Sequence, residues 1–343
     1  MKLIRKAIYF FSIFSIMKSG TPLEYKISIT SGYDNNVMRF SENEFKRAAS
    51  DTVILGEAKT FDSYITKAKI TAEKIFVISN SKLIKINGVY TLSDFRDIPE
   101  KKYWSGGIDA VYRWGSYKNI RYSLRHLDKF YLRHYVDRDI SATSLAPCLF
   151  TDRDQTINLS HRLSKNSWFN ISSGYLQRYY ARPFTEFDLD IIYFKGKINY
   201  RLKNFGLFSI QVNRGYADNI CFTPNLRPSS FDRSYHTTEW FLPLKINKKL
   251  NFIKEIGVSA RLEIREYEAE DPEDPLHSGR SHLDSKYDLW IKKRINEDFN
   301  FTLSSRFRTR VTDSEYAWVD DLKSFKQLQF WFTIEWGFIY DKY

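Results

Sequence analysis

The sequence predicts an all-β chain closed into a single antiparallel transmembrane β-barrel of about fourteen strands, with short turns at one edge and longer loops at the other. Three observations predict it. Gln327 to Tyr340 sets Leu328, Phe330, Phe332, Ile334, Trp336, Phe338 and Tyr340 on one parity, and Gln327, Gln329, Thr333, Glu335 and Gly337 on the other. A period of two is the mark of a strand. The apolar face runs about ten residues and finishes in aromatics, as a strand does when it crosses a bilayer to an interfacial girdle. The same alternation recurs pairwise along the chain, with short and long connections taking turns. A soluble edge strand this apolar would template aggregation, which argues against the last strand of a soluble sandwich.

Composition agrees. The chain has 343 residues, net charge +12 and 17% aromatics, and its mean hydropathy is −0.47. No run of about eighteen apolar residues follows residue 20, so a bundle of membrane helices is excluded. A barrel escapes that test because half of every strand is polar. At the start, Lys2, Arg5 and Lys6 precede the apolar run Ala7 to Met17, which describes an export signal over residues 1–20. Lys18-Ser19-Gly20 lacks the usual small-x-small cleavage pattern. Residues 21–343 then form one barrel domain.

The strands follow in order. Tyr25 to Tyr33 alternates as a first strand; Tyr64 to Ala72 and Ile84 to Leu92 flank the turn Ser79-Asn80-Ser81 as a hairpin. Trp104 to Trp114 and Ile120 to His126 flank Gly115 to Asn119. Ile157 to Leu163 and Phe169 to Tyr179 flank Ser164 to Ser167, and Ile192 to Leu202 and Phe208 to Val212 flank Lys203 to Gly206. Trp240 to Ile246 and Ile256 to Ile264 flank a turn around Lys249 to Glu255, and Tyr287 to Ile295 meets Phe299 to Val311 across Asn296-Glu297-Asp298. Long segments fall at Asn35 to Thr60, Val136 to Asp152, Ala217 to Arg233, Glu266 to Ser281 and Thr312 to Ser324. Inside the first, Ser41-Glu42-Asn43-Glu44 is a capping box, with Phe40 and Phe45 placed as a hydrophobic staple for a short helix.

The segment Gly32 to Glu44, GYDNNVMRFSENE, looks like the strand-to-loop opening of many bacterial outer-membrane barrels. With the strand grammar above, the chain resembles bacterial outer-membrane β-barrel proteins of the porin-like kind over essentially all of 21–343, without resembling one functional family. The resemblance implies a bacterial outer membrane, periplasmic short turns and extracellular long loops. It also implies contact with outer-membrane lipid and lipopolysaccharide, and insertion by the barrel-assembly machinery. Glu335, Gly337 and Tyr340 resemble the terminal signal that this machinery reads, although Asp341-Lys342-Tyr343 puts the final aromatic out of phase.

If the apolar parity faces lipid, the other faces the lumen. It carries Lys67, Lys69, Lys85, Arg113, Arg121, Arg125, Arg162 and Arg178 in the first half of the chain. Lys195, Lys197, Arg201, Lys245, Arg261, Arg265, Lys292, Arg294, Arg306, Arg308 and Arg310 follow. The expected lumen acids are Glu73, Asp109, Glu239, Glu263, Asp288 and Glu335. Arg306, Arg308 and Arg310 form a ladder along one strand, and basic ladders are how pores favour anions. Mutual pairing of lumen charges is the plainer alternative, but these acids are too few to neutralise the bases. A nucleic-acid groove would not need basic residues alternating with a lipid-type face, so no nucleic-acid partner is expected.

Catalytic signals are weak. The six histidines give no recognised zinc spacing, and His277 and His282, near Asp271, Glu273 and Asp274, read as a solvated loop rather than a cation site. His161 and Ser160 fall on opposite parities, so no serine hydrolase is assembled. The expectation is a non-enzyme with no cofactor and no metal. Cys148 and Cys221, the two cysteines, both fall in expected surface loops, where a disulfide is one outcome and two free thiols the other. The leading function is a channel for small polar, preferably acidic, solutes. Its rivals are a plugged surface or assembly protein and a transporter of hydrophobic compounds, the latter disfavoured because no room precedes Tyr25 for an N-terminal hatch.

Overall fold

The computed structural model describes residues 21–50, 52–79, 81–137, 140–141, 143–221, 232–247 and 253–340. The expected export signal, the terminal Asp341-Lys342-Tyr343 and Asn80 of the first expected turn lie outside the described residues. Fourteen strands form the wall. They are β1 Leu23–Asp34, β2 Ser63–Ser79, β3 Lys82–Phe95, β4 Tyr103–Gly115, β5 Lys118–Val136, β6 Leu145–Arg162 and β7 Ser167–Tyr180, then β8 Leu189–Leu202, β9 Gly206–Asn219, β10 Tyr235–Ile246, β11 Glu255–Tyr267, β12 Ser281–Arg294, β13 Phe299–Asp313 and β14 Phe325–Tyr340. Each pairs antiparallel with its sequence neighbours, and β1 pairs with β14 to close the barrel. Closure leaves no open edge, which satisfies every strand's backbone groups within the wall.

Register follows from parity. Ile27 lies opposite Ile70 on one side and Trp336 on the other, and Ile70 in turn faces Tyr90. With a period of two, such a row is all one face, and a slip of one residue would turn it inside out. Aromatic pairs finish this face near the short turns: Tyr25 stacks on Phe338 with ring centroids 5.2 Å apart, and Phe299 on Trp336 at 5.8 Å. On the opposite face, Gly174 lies directly across from Tyr193. The Tyr193 ring covers the space that a Cβ would need there, so glycine is required by close approach.

Seven connections lie at the long-loop edge and six at the short-turn edge, together with the start of β1 and the end of β14. The capping box forms as the sequence predicts. Glu44 N–H donates to Ser41 Oγ at 3.2 Å and Ser41 N–H to Glu44 Oε2 at 2.9 Å, starting helix α1, Glu42–Ser50. The Phe40 and Phe45 rings meet edge to face at 6.4 Å. A second short helix, α2, Ala317–Lys323, lies between β13 and β14.

One expectation is corrected. The segment Val136 to Asp152 is not a long loop, because β5 and β6 continue as a tall hairpin joined only across 137–144. The pairing register shifts between Leu127 and Phe130 and again between Tyr131 and His134, and Lys129 takes a positive φ of 47°. Bulges of this kind break the alternation from which strands are read.

Candidate functional site

The exterior parity carries the large apolar side chains. Ile171, Ile198 and Leu303 are 57%, 59% and 53% exposed, and Phe330, Phe332, Ile334 and Trp336 of β14 are exposed in the same way. A soluble protein does not display so continuous an apolar band. Only hydrocarbon matches it.

The interior parity carries charge, and much of it is paired, chiefly across neighbouring strands but also within β11 and between β12 and β14. Arg125 bonds Asp109 at 2.6 Å, Arg261 meets Glu239 at 3.3 Å, and Arg265 meets Glu263 at 2.8 Å. Arg178 holds both oxygens of Asp152, at 2.9 and 2.8 Å, the bidentate geometry that makes a strong, oriented pair. Lys85 pairs with Glu73 at 2.8 Å and Lys292 with Glu335 at 3.3 Å. The expected ladder of Arg306, Arg308 and Arg310 is also paired. Arg306 Nε donates to Asp288 at 2.6 Å, while Asp284, 2% exposed, accepts from Arg308 Nε at 2.8 Å and Arg310 Nη2 at 2.9 Å.

Of the other predicted bases only Lys245 makes an ion pair among the described residues, and it is a long one. Lys67 lies over the Trp331 ring at 4.3 Å and Lys195 over Tyr193 at 4.1 Å. At the short-turn end Arg113 bonds Gly115 O at 3.1 Å, Arg162 bonds Ser164 O at 2.9 Å and Arg201 bonds the Tyr117 hydroxyl. Lys245 Nζ stands 4.0 Å from Glu255. Lys69, Arg121 and Lys197 have no carboxylate partner among the described residues.

Above this level the lumen is narrowed by the chain itself. The segment after β1 turns inward and buries Val37, Met38, Phe40, Ala48 and Leu55 against Ile65, Phe95, Ile98 and Tyr131 of the wall and its loops. Asn36 fixes the turn. Its Nδ2 donates to Phe40 O at 2.8 Å and Lys326 O at 2.9 Å, and its Oδ1 accepts from Phe40 N–H at 2.8 Å. Asp34 accepts from Gln327 Nε2 at 2.8 Å and Gln329 Nε2 at 2.6 Å. Arg39 is held at a positive φ of 57°, a conformation rare for a residue with a side chain and kept only where the surroundings impose it.

Between this segment, the wall and α2 lies a cavity of about 760 Å³. Its lining bases are Arg39, Arg47, Lys101, Arg133, Arg178, Arg233, Arg265, Arg280, Lys286, Arg308, Arg310 and Lys323, twelve in all; its lining acids are Glu44, Asp137, Asp152, Glu186 and Glu263, five. Burial, then repulsion by Arg308 and Arg310, pushes the Arg39 guanidinium down to about 9. Lys323 is pushed down to about 7 by burial and then by Arg133 and Arg280, and Lys101 to about 7 by burial and then by Arg39.

A fourteen-stranded closed wall with an apolar exterior and a charged interior decides the class. The chain is an outer-membrane β-barrel. No family model matches it, and no curated protein does. Among solved structures it is similar to a loop-deletion mutant of OmpT, an outer membrane protein of Vibrio cholerae, at 7% identity and a TM-score of 0.46, covering 92% of this chain and 99% of that one. It is similar to Pseudomonas aeruginosa OpdK with vanillate at 9% identity and a TM-score of 0.42, covering 92% and 99%. A bacterial polysaccharide outer membrane secretin matches at 9% identity and a TM-score of 0.46, covering 94% and 100%. Likenesses this distant carry no argument, and the assignment rests on the barrel's own two faces.

The barrel corrects the count of inward acids. Besides the six expected, Asp34, Asp152, Asp154 and Asp284 lie on inward positions toward the mouth and Glu24 and Glu255 on inward positions at the short-turn end, because several strands run further at both ends than their apolar residues indicate. Cys148 is fully buried within β6 rather than in a surface loop, and Cys221 is exposed; both are free. His277 Nδ1 bonds Asp274 at 2.7 Å, so the acidic loop is tied to its own histidine. Ser160 bonds Tyr117 O at 3.1 Å while His161 packs on Phe169 at 5.8 Å, on the opposite face. Sequence reasoning missed Arg133 at the top of β5 and the bases outside the strands: Arg39, Lys101, Arg280 and Lys323. Arg39 alone had a local signal, since it lies within GYDNNVMRFSENE.

Proposed function

We propose that this barrel is an outer-membrane channel for passive passage of small polar solutes, with a preference for anions, inserted by the barrel-assembly machinery among lipid and lipopolysaccharide. The observation that carries the reading is the excess of bases around the mouth-side cavity, twelve lining bases against five lining acids and Asp284 behind Arg308 and Arg310. Low-dielectric walls focus such a field on anything that enters, and rings of Lys and Arg favour anions. Catalysis is assigned to no residue. Conductance in planar bilayers tests the reading: in a potassium chloride gradient the reversal potential should fall on the chloride side, and a reversal potential on the potassium side would overturn the preference.

A plugged barrel with a surface role is the second reading, favoured by the apolar packing of the 35–62 segment against the inner wall. An intact barrel that never conducts in any salt would support it and sink the channel.

A further inference from the structure

We propose that the mouth-side cavity contains a binding site for a dianionic oxyanion of the phosphate class, formed by Arg39, Lys101, Arg280 and Lys323. The site deepens the channel reading and rests on it for its role in transport. These four side chains come from four separate pieces of chain: the turn after β1, the 3-10 turn Pro99–Lys101, the loop before β12, and α2. All four line the same cavity. Among the described residues none of them has a carboxylate partner.

The nearby acids are already engaged. Glu44 is held by Arg133 at 2.5 Å, Glu263 by Arg265, and Asp284 by Arg308 and Arg310. Arg280 is only 4% exposed, with its guanidinium stacked 3.9 Å from the centre of the Tyr267 ring and its Nε without a partner among the described residues. Lys101 is 5% exposed, lies 4.6 Å over Phe130, and donates to Tyr131 O at 2.9 Å, which leaves ammonium donors unused. A buried donor left unpaired costs about 1–3 kcal/mol. Four cations that line one cavity without a carboxylate partner among the described residues are placed to be completed by a mobile anion.

Charge and shape narrow its class. A singly charged ion would leave three of the four cations uncompensated, whereas a phosphate group near neutral pH carries about 1.5 to 2 negative charges and several strong acceptor oxygens. Arginine forks grip such oxygens in pairs, and lysine serves as a point charge beside them. Burial first, and then repulsion by Arg39 for Lys101 and by Arg133 and Arg280 for Lys323, pushes these lysines toward neutrality, and the same ion would offset the repulsion. For a channel, binding must also be weak enough to release.

The test uses the refolded full chain in detergent, titrated calorimetrically with sodium phosphate, sodium sulfate and sodium chloride, alongside chloride currents in bilayers with phosphate added. Phosphate and sulfate should bind one per barrel and chloride far more weakly. Arg280→Gln and Lys323→Gln should each weaken phosphate binding about tenfold, a change of about 1.4 kcal/mol, and Arg280→Lys should restore part of it. Lys102→Gln, exposed and paired with Asp94, should change nothing. Faster gel migration before boiling shows that each variant is folded; should Arg280→Gln not fold, Lys323→Gln and Arg280→Lys carry the comparison. Absent phosphate binding, or binding unchanged in both Gln variants, overturns the site. Chloride current without phosphate binding removes the site and keeps the channel; phosphate binding without current in any salt keeps the site and removes the channel.

Discussion

At the mouth end of the lumen, bases are numerous, half-buried or buried, and mostly tied to carboxylates or aromatic rings; at the short-turn end Arg113, Arg121, Arg162 and Arg201 are exposed and make no ion pair among the described residues. The same residue types serve two ends. At the turn end water solvates each guanidinium, so position costs little and stability does not depend on partners. At the mouth the inward segment excludes water, and each cation then needs a specific partner or a ligand. The ladder of Arg306, Arg308 and Arg310 runs between the two regimes, with Arg306 half-exposed on Asp288 and Arg308 buried on Asp284.

Removing the acid that the mouth depends on should have the largest effect. Asp284→Asn leaves Arg308, Arg310 and Lys286 facing one another, and breaking a buried pair from one side costs about 3–5 kcal/mol; urea unfolding in detergent micelles reads it. Replacing Arg113 and Arg121 together with Gln at the other end should leave that unfolding midpoint unchanged, since exposed sites usually move stability by less than about 0.5 kcal/mol. Equal losses at the two ends would dissolve the distinction. Changing all three ladder arginines to Gln strips Asp284 and Asp288 of their guanidinium partners, leaving Lys286 and the Ser259 hydroxyl, so this variant too should lose stability rather than only selectivity.

A smaller effect separates wall from lumen within β13. Leu303→Arg points a charge at the hydrocarbon and should cost about 2–4 kcal/mol near the midplane, falling toward zero near an interface. Folded yield into vesicles measures it, and normal insertion would reverse the assignment of faces.

The smallest effect is on pH. Lys101 faces Arg39, Asp34 and Arg133, and Lys323 faces Arg133, Glu44, Arg280 and Tyr267. Both are lowered to about 7, so both are cationic at pH 6 and largely neutral at pH 8, while Arg39, lowered to about 9, keeps its charge across that range. Anion preference should therefore decline between pH 6 and 8, measured as a reversal potential moving toward zero. A Lys101→Gln and Lys323→Gln double variant should lose that pH dependence; a variant that keeps it would move the titration elsewhere.

The wall was legible because membrane strands advertise their register. Wherever lipid covers one face, as along Leu328 to Tyr340, alternation is strict and each strand can be read locally. Above the membrane bulges shift the pairing and apolar residues fall on both parities, as in Leu145 to Phe150, so the alternation fades and does not mark 145–152 as strand, nor Asp152 as inward and Cys148 as buried. Asp284 was missed likewise, three residues before Tyr287 restores the alternation. The capping box of α1 was legible because it is a contact between neighbours. The inward path of that helix was not, for it depends on Tyr131 and Phe95, far away in sequence.

Asn36 has a further consequence for the order of assembly. Its carboxamide and the Asp34 carboxylate tie the turn that sets Arg39 to Lys326 and Gln327, across sequence separations of 290 and 293 residues. Contacts between the two ends of a chain carry the largest loop-closure cost and form late. In an unclosed sheet the Arg39 turn lacks its anchors. Pulsed hydrogen exchange during refolding should show the Phe40 amide protected no earlier than the β1–β14 amides, and protection in advance of closure would refute this order. A barrel that stalls one strand short is therefore an open sheet with an unformed constriction, and the narrow part of the passage comes into being in the same event that seals it from the bilayer.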